Sequence, residues 1–220
     1  MSITFADLKG KIIRVLGDIV VPGGSGGEPL AGTTYGEDLL KDAVHAALDA
    51  ITIRRFKSSV VQVAGDYGQM DVPEDLIEVE AILDVTNNIF LEQVPMKVGK
   101  GLSANGQLGW YIYPTGTIVF TNDLGDSGAE LYYSAYWVKP EDDEEELETP
   151  DICVSALTMF AASYCLLNSA SQASSIRQFN MKVDSGKPTD NPLEQSSTYF
   201  MKRFEIELQR IPPSPKGIPA

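Results

Sequence analysis

One segment of the sequence is apolar almost all the way round a helix, and it limits the fold more than any other feature. No charged residue occurs between Ile152 and Leu167, and a helix that is hydrophobic on every side belongs in the centre of a core. Thr149 is expected to cap this helix, with Pro150 at its first position. The segment is shorter than a membrane span and contains three Ser or Thr residues. We therefore interpret it as a central core helix over about residues 150–168.

Three further stretches have apolar residues at the spacing of amphipathic helices. They cover about residues 4–20, 35–54 and 192–210. Thr34 and Glu37 have the spacing of a capping box at the start of the second stretch. The sequence thus predicts two helices before the central helix and one after it.

Between the two pairs of helices the sequence period changes to two, which is typical of β-strands. Ile77, Val79, Ala81 and Leu83 alternate with Glu78, Glu80 and Asp84, and this pattern predicts a half-buried strand. Gly116 lies between two runs of aromatic and β-branched residues, which predicts a hairpin with this glycine in the turn. A compact antiparallel sheet or a small sandwich is the expected result.

The predicted fold class is α+β: a helical bundle with an inserted antiparallel β-sheet or small sandwich module and an extended C-terminal tail. Residues 1–57 form the N-terminal helices, and residues 58–140 form the inserted β module. Residues 141–211 form the C-terminal helices that complete the bundle. Residues 212–220 form the Pro-rich tail, because this composition is incompatible with a regular helix.

Charge is distributed very unevenly along the chain. The whole chain has a net charge of −14, while residues 66–151 alone contain three basic and nineteen acidic residues. Binding to nucleic-acid phosphates is therefore not expected as a main task. Two faces of unlike charge are well suited to head-to-tail assembly of identical copies.

No residue pattern predicts catalysis or a bound cofactor. His45 is the only histidine, and it lacks both the local spacing of a zinc site and a neighbouring nucleophile. Cys153 and Cys165 are too far apart along one helix to form a disulfide, and we expect buried free thiols. We predict that the protein is not an enzyme and has no catalytic, metal-binding or cofactor-binding residues.

An acidic run follows the β module and is the first candidate site. It lacks the alternating ligands and the glycine of a calcium loop, so we expect either a solvated loop or one that faces a channel lumen or a basic partner. The candidate lumen-facing or interface acids are Asp142, Asp143, Glu144, Glu145 and Glu146.

The Pro-rich C-terminal tail is the second candidate site. Tails of this kind either stay free or become ordered on a partner, and proline lowers the entropic cost of docking. The candidate docking residues are Ile211, Pro212, Pro213, Pro215, Lys216 and Ile218.

Aromatic residues are concentrated in the β module and offer a third possibility. They could stack on bases or hold a ligand, but the acidic surroundings repel phosphates, so packing within the sheet is the favoured interpretation. The residues are Trp110, Tyr111, Tyr113, Tyr132, Tyr133, Tyr136 and Trp137.

The order of these features resembles the head–tail connector proteins of tailed bacteriophages, also called adaptor or head-completion proteins. The similarity covers roughly residues 34–170. The similar stretches are YGEDLLKDAVHAALDAITI, DVPEDLIEVEAILDV, GWYIYPTGTIVFTNDLGDSGAELYYSAYW and ETPDICVSALTMFAASYCLLNS. The resemblance lies in the order of these features and in short local sequence patterns, and it includes no invariant catalytic motif.

This resemblance implies a structural virion protein that forms a homo-oligomeric ring, usually of twelve copies, beneath the portal protein. The ring would continue the DNA channel at the neck and offer a platform for a stopper or tail protein. Viral DNA would pass without specific binding, and a C-terminal segment would reach into the portal. We expect location at the head–tail junction, presence in the host cytoplasm during assembly, and no membrane association.

Three alternatives remain open at this stage. One is another neck or tail-completion protein, such as a stopper or a terminator. A second is a non-viral module whose β-sheet binds a peptide or glycan. A third is an enzyme that uses His45, for which loss of activity on mutation would be the signature.

Overall fold

The computed structural model describes residues 3–17, 35–63, 68–95, 109–121, 124, 127–181 and 192–214. Within these residues, four α-helices and eight β-strands form an α+β fold, as predicted. The helices are α1 (Phe5–Gly17), α2 (Glu37–Thr52), α3 (Val154–Met181) and α4 (Pro192–Arg210).

The strands form two sheets of four. The first sheet has the order β1-β8-β3-β4 and is antiparallel throughout, and the second has the order β2-β7-β6-β5 with one parallel pair, β5 and β6. The strands are β1 (Lys57–Val63), β2 (Gln69–Asp71), β3 (Leu76–Asp84), β4 (Ile89–Phe90), β5 (Glu92–Gln93), β6 (Gly109–Tyr113), β7 (Thr117–Phe120) and β8 (Ala129–Ala135).

The chain divides into two compact units. Met1–Arg55 and Trp137–Pro213 form the first, here called the helical unit. Phe56–Tyr136 and Ser214–Ala220 form the second, here called the β unit. Strand-forming sequence is therefore inserted between two helical segments that belong together.

Helix α3 lies at the centre of the helical unit and packs against α1, α2 and α4. Its side chains are buried on several sides because the first half of the helix carries no charged residue. The buried residues of α3 include Ala156, Leu157, Ala161, Ala162, Cys165 and Leu166. They share one core with Leu8 of α1, Ala47 of α2 and Phe204 of α4, so both ends of the chain build the same core.

The close packing of α3 and α4 depends on small and aromatic side chains. Ser163 donates its hydroxyl to the Ser197 carbonyl at 2.9 Å, and Ser197 Oγ returns a 3.0 Å bond to the Ser163 carbonyl. Between the same two helices, the rings of Phe160 and Phe204 meet edge to face with centroids 5.0 Å apart. The reciprocal bonds satisfy both buried hydroxyls, as a buried contact of this kind requires.

The start and end of α3 differ from the prediction. Asp151–Cys153 form a turn of 3₁₀ helix preceded by Pro150, and no side chain caps it. The predicted cap at Thr149 is wrong, because its buried hydroxyl has no hydrogen-bond partner. The helix also continues to Met181, well beyond the predicted end near residue 168.

A capping box is found at the first helix, for which none was predicted. Thr4 Oγ1 accepts from the Asp7 amide at 3.2 Å, and Asp7 Oδ2 accepts from the Thr4 amide at 3.4 Å. This reciprocal capping box starts α1. Helix α2 instead begins after Gly36 without a side-chain cap, and Thr34 of the predicted box lies outside the described residues.

In the β unit, the inner faces of the two sheets share one core that includes Ile82, Ile118 and Leu131. Strand β3 reaches this core through two bulges, at which Ile77 and Glu80 have no cross-strand partner. Each bulge adds one residue and reverses the alternation of the side chains.

These bulges overturn the predicted inward face of β3. The residues opposite the core-facing side of β8 are Leu76, Val79, Ile82 and Asp84. Of the four residues predicted to face inward, only Val79 does so through regular pairing. The predicted hairpin is confirmed: β6 pairs with β7, and Gly116 in its turn has φ +83°, a conformation that suits glycine.

Candidate interaction surfaces

The segment Glu141–Glu148, here called the acidic segment, has seven carboxylates in eight residues. Among the five predicted acids, Asp142, Asp143, Glu144 and Glu146 are exposed and Glu145 is half-buried. The segment follows Pro140 and belongs to the helical unit. Its exposure fits a solvated or partner-facing loop, the alternatives left open by the sequence.

The backbone of the acidic segment is bound to the start of α1. The amides of Phe5 and Ala6 donate to the carbonyls of Glu145 and Asp143, at 2.9 and 3.1 Å. The Leu147 amide donates to the Ile3 carbonyl at 2.8 Å, beside an antiparallel bridge between residues 4 and 146. The first amides of a helix lack intrahelical partners and carry positive partial charge, so an acidic strand is a favourable partner for them.

Lys9 of α1 holds the acidic segment through an ion pair. Its side chain is mostly buried and lies 4.7 Å from the centre of the Phe5 ring. The ammonium forms ion pairs with Glu37, at 2.9 Å, and with Asp143. Burial lowers the pKa of Lys9, but the hydrogen bonds and charges of Asp143 and Glu37 outweigh it and raise that pKa overall.

Two more contacts restrain the acidic side chains. Lys41 pairs with Glu141, and this hydrogen bond lowers the pKa of Glu141. The carboxylate of Glu145 accepts from the amides of Glu141 and Asp142 at 3.2 and 3.3 Å. Two of the five predicted acids, at positions 143 and 145, thus hold the fold together, while Asp142 and Glu144 are directed to solvent.

The C-terminal end of the described chain is bound to the protein itself. Ile211 is fully buried in the helical core, and Arg54 Nε donates to its carbonyl at 3.1 Å. Arg55 Nη1 lies within 3.4 Å of the carbonyls of Pro212 and Pro213. The prediction of a docking role for Ile211 is therefore corrected: its side chain is needed in the core.

The last described residue, Ser214, is hydrogen-bonded to the backbone of Phe56. Its hydroxyl accepts from the Phe56 amide and donates to the Phe56 carbonyl, both at 2.9 Å. The other predicted docking residues, Pro215, Lys216 and Ile218, lie outside the described residues. The described residues of the predicted tail, 212–214, are thus bound to Arg55 and Phe56.

The aromatic residues of the β module are mostly core residues. Trp110, Tyr111 and Tyr133 are buried in the β unit and Trp137 in the helical unit, which confirms the packing interpretation for these four. Trp110 Nε1 donates to the Leu91 carbonyl at 3.1 Å. Four of the seven aromatic rings are therefore buried and are not available to form a ligand-binding face.

The remaining candidates, His45 and the two cysteines, also have contacts or burial within the fold. His45 Nε2 lies 2.8 Å from the Pro140 carbonyl and ties α2 to the chain before the acidic segment. Cys153 and Cys165 are buried free thiols, and burial raises the pKa of Cys165 to about 12. Within the described part of the chain, no group of three or more His, Cys, Asp or Glu residues could hold a metal ion.

One helical stretch among the described residues, Asp151–Ser169, is long and apolar enough to cross a membrane by length and composition. More than half of it is buried inside the protein. Its packing against α1, α2 and α4 accounts for its composition without a bilayer.

Comparison with known protein-family models gave no match, and a search of curated proteins found no significant relative.

Proposed function

We propose that this protein is a head-to-tail adaptor of a tailed bacteriophage, a structural protein that forms a ring under the portal. In this proposal the ring continues the DNA channel and provides a platform for a stopper or tail protein. The proposal starts from the resemblance in the order of helices, β module, acidic segment and Pro-started helix. One observation carries it furthest: the two helical segments share a core, and the β module is an inserted unit.

This architecture supports an assembly role because it offers separate surfaces on separate units. The helical unit presents the acidic segment, whose backbone is fixed and whose Asp142 and Glu144 side chains are exposed. Fixed carboxylates on a channel wall would repel DNA phosphates and let the duplex slide. We propose this lumen-facing role for the exposed acids only, since Asp143 and Glu145 are used by the fold.

The test is binding to the portal protein encoded in the same genome. Purified portal rings immobilised on beads should retain the full chain, and electron microscopy of the complex should place it as a ring beneath the portal. Absence of binding, or a position in virions away from the neck, would refute the proposal. A stopper, the nearest alternative, would bind only when a separate adaptor is already present.

The contribution of the tail can be tested with two truncations. Removal of residues 215–220 leaves the bonds of Ser214 with Phe56 intact, so weaker portal binding would assign docking to those residues. Removal of residues 211–220 also deletes the buried Ile211 and should destabilise the chain. Only the shorter truncation therefore separates docking from folding, and unchanged binding would exclude the tail from the mechanism.

A further inference from the structure

The first sheet of the β unit has an outer face that the shared core does not cover. Core residues of β8 alternate with Glu130 and Tyr132, which therefore point to the other face. Their cross-strand partners place Val60 of β1 and Leu83 of β3 on that face, and Phe90 of β4 lies opposite Leu83.

This outer face is both apolar and acidic. Val60 on β1 is 53 % exposed and Phe90 on β4 is 46 % exposed, which is unusual for large apolar residues on the solvated side of a sheet. Glu78 pairs with Ser134 in the ladder, and the Ser134 hydroxyl donates to Glu80 at 2.5 Å, so both carboxylates belong to this face.

Glu130 is held as an anion on the same face. Its two carboxylate oxygens accept from the Tyr132 hydroxyl at 2.5 Å and from the Gln62 amide at 2.6 Å. The hydrogen bonds from Tyr132 and Gln62 lower the pKa of Glu130. The ordered carboxylate is thus prepared for a cationic partner without further immobilisation.

A surface of opposite charge lies on α4 in the helical unit. Tyr199 is 57 % exposed and Ile206 is 44 % exposed, on the side of the helix away from the buried Phe204. At 3.6 residues per turn, Lys202 and Arg203 fall on the same stripe.

The α4 stripe is free of acids and ends in a further cation. Arg210 follows Ile206 by four residues, whereas the three glutamates of α4 fall outside the stripe. Arg210 pairs with Glu207 at 2.9 Å. Lys202 and Arg203 are exposed, and neither forms an ion pair with another described residue.

The two surfaces match in chemistry and in size. Each combines exposed apolar side chains with charges of one sign: Glu78, Glu80 and Glu130 on the sheet, and Lys202 and Arg203 on the helix. From Tyr199 to Arg210 the stripe is about 16 Å long at 1.5 Å per residue, close to the roughly 14 Å across four strands that lie about 4.8 Å apart. A helix laid on one face of a sheet is a common packing layer in proteins.

We propose that the α4 stripe of one copy docks on the outer face of the first sheet of the next copy. Because the two surfaces differ, the contact is head-to-tail and generates a ring or a filament rather than a two-fold dimer. The inference deepens the proposed function, since it rests on the same idea of a ring of copies and names the contact between them.

Disulfide trapping of the full chain in the absence of portal tests this contact. Val60→Cys with Ile206→Cys should give a ladder of dimers, trimers and larger species under mild oxidation. The native thiols are buried and do not compete. The matched control, Val60→Cys with Glu205→Cys, displaces the second thiol by about 100° around the helix and should remain largely monomeric.

Mixing the single variants Val60→Cys and Ile206→Cys should give a cross-linked dimer and nothing larger, because each copy then has one reactive surface. In the double-cysteine chain, Lys202→Glu with Arg203→Glu should abolish the ladder. Adding Glu78→Lys and Glu80→Lys to that chain should restore it by exchanging the charges.

Equal cross-linking in the control would overturn the contact. A ladder that is unchanged by the Lys202→Glu and Arg203→Glu substitutions would overturn it too. Complete absence of cross-linking in the Val60→Cys, Ile206→Cys chain would overturn it as well. Portal binding without the ladder would remove this contact and leave the proposed function intact. A charge-dependent ladder without portal binding would support this contact and refute the proposed function.

Discussion

In the helical unit, α3 is enclosed by helices from both ends of the chain, whereas the first sheet of the β unit is covered by the shared core on one face only. Between Val154 and Leu166, most side chains of α3 are buried in this core and cannot contact a partner. The sheet keeps an outer face with Val60 and Phe90 exposed. Cohesion of the helical unit therefore depends most on α3, while the exposed surfaces of each unit are the ones that we propose for recognition.

The largest effect should come from a cavity in the helical core. Leu157 of α3 is fully buried, so Leu157→Ala should lower the free energy of unfolding by about 3 kcal/mol through lost burial and the remaining cavity. Leu167 on the same helix is 56 % exposed, and Leu167→Ala should change it by less than about 0.5 kcal/mol. Urea unfolding measures both.

The two tryptophans can show whether the units respond separately. Trp110 is buried in the β unit and Trp137 in the helical unit, so replacing either with Phe leaves a reporter for one unit. Leu157→Ala should shift the Trp137 transition more than the Trp110 transition. Equal shifts of both transitions would mean that the two units unfold as one.

A smaller loss is expected when the acidic segment is released from Lys9. Lys9→Met keeps the apolar stem but removes the bonds to Glu37 and Asp143, and it should cost about 1 to 2 kcal/mol, less than a fully buried pair because both carboxylates are largely exposed. Lys11→Met on the exposed side of α1 is the matched control. Unfolding should be compared at low and high salt, where the difference should shrink.

The pH dependence of this contact has a defined sign. The folded-state pKa of Lys9 is raised, so its contribution is complete below the ordinary lysine pKa of about 10.4 and is lost as pH rises through the raised value. Stability of the wild type should approach that of Lys9→Met in that alkaline range. A constant difference across it would show that Lys9 acts through packing alone.

The helical part of this fold was largely readable from the sequence. The bounds of α4 and the central position of α3 follow from apolar spacing, which is a local property. The sequence also contains the capping box of α1, Thr4 with Asp7, whereas the predicted box was Thr34 with Glu37. Glu37 instead reaches Lys9, a contact across 28 positions of sequence that no local rule contains.

The sheet and the acidic segment were less predictable for the same physical reason. The bulges at Ile77 and Glu80 reverse the alternation of β3, and they depend on how β8 pairs beside it. The acidic residues predicted an exposed segment correctly. That the carbonyls of Asp143 and Glu145 bind the start of α1 is a long-range pairing, and so is the burial of Ile211.

A local change in the β unit should have a smaller effect than either helical variant. Gly116 has φ +83° and open space around its α-carbon, so Gly116→Ala meets backbone strain but no clash. We expect a loss of about 1 kcal/mol. Gly68→Ala, also in open space but without a left-handed backbone, should lose less. The Trp110 transition is the measurement, and equal losses would contradict the assigned strain.

The smallest effect should come from the exposed pair of Lys41 and Glu141. The hydrogen bond and charge of Lys41 lower the pKa of Glu141, so the contribution of this carboxylate is present above the ordinary Glu pKa of about 4.3 and is lost as pH falls through the lowered value. In Glu141→Gln, the free energy of unfolding should therefore fall slightly less than in the wild type as pH is lowered through this range, the acid limb of the stability profile.

Glu144→Gln is the matched control for that variant, because Glu144 is exposed and forms no ion pair with another described residue. Removal of its charge should leave the acid limb unchanged or relieve repulsion within the acidic segment. If both variants have the same profile, the segment is held by its backbone bonds to α1 and by Lys9 alone. The exposed carboxylates would then be dispensable for folding, and any cost of their removal in assembly would report recognition.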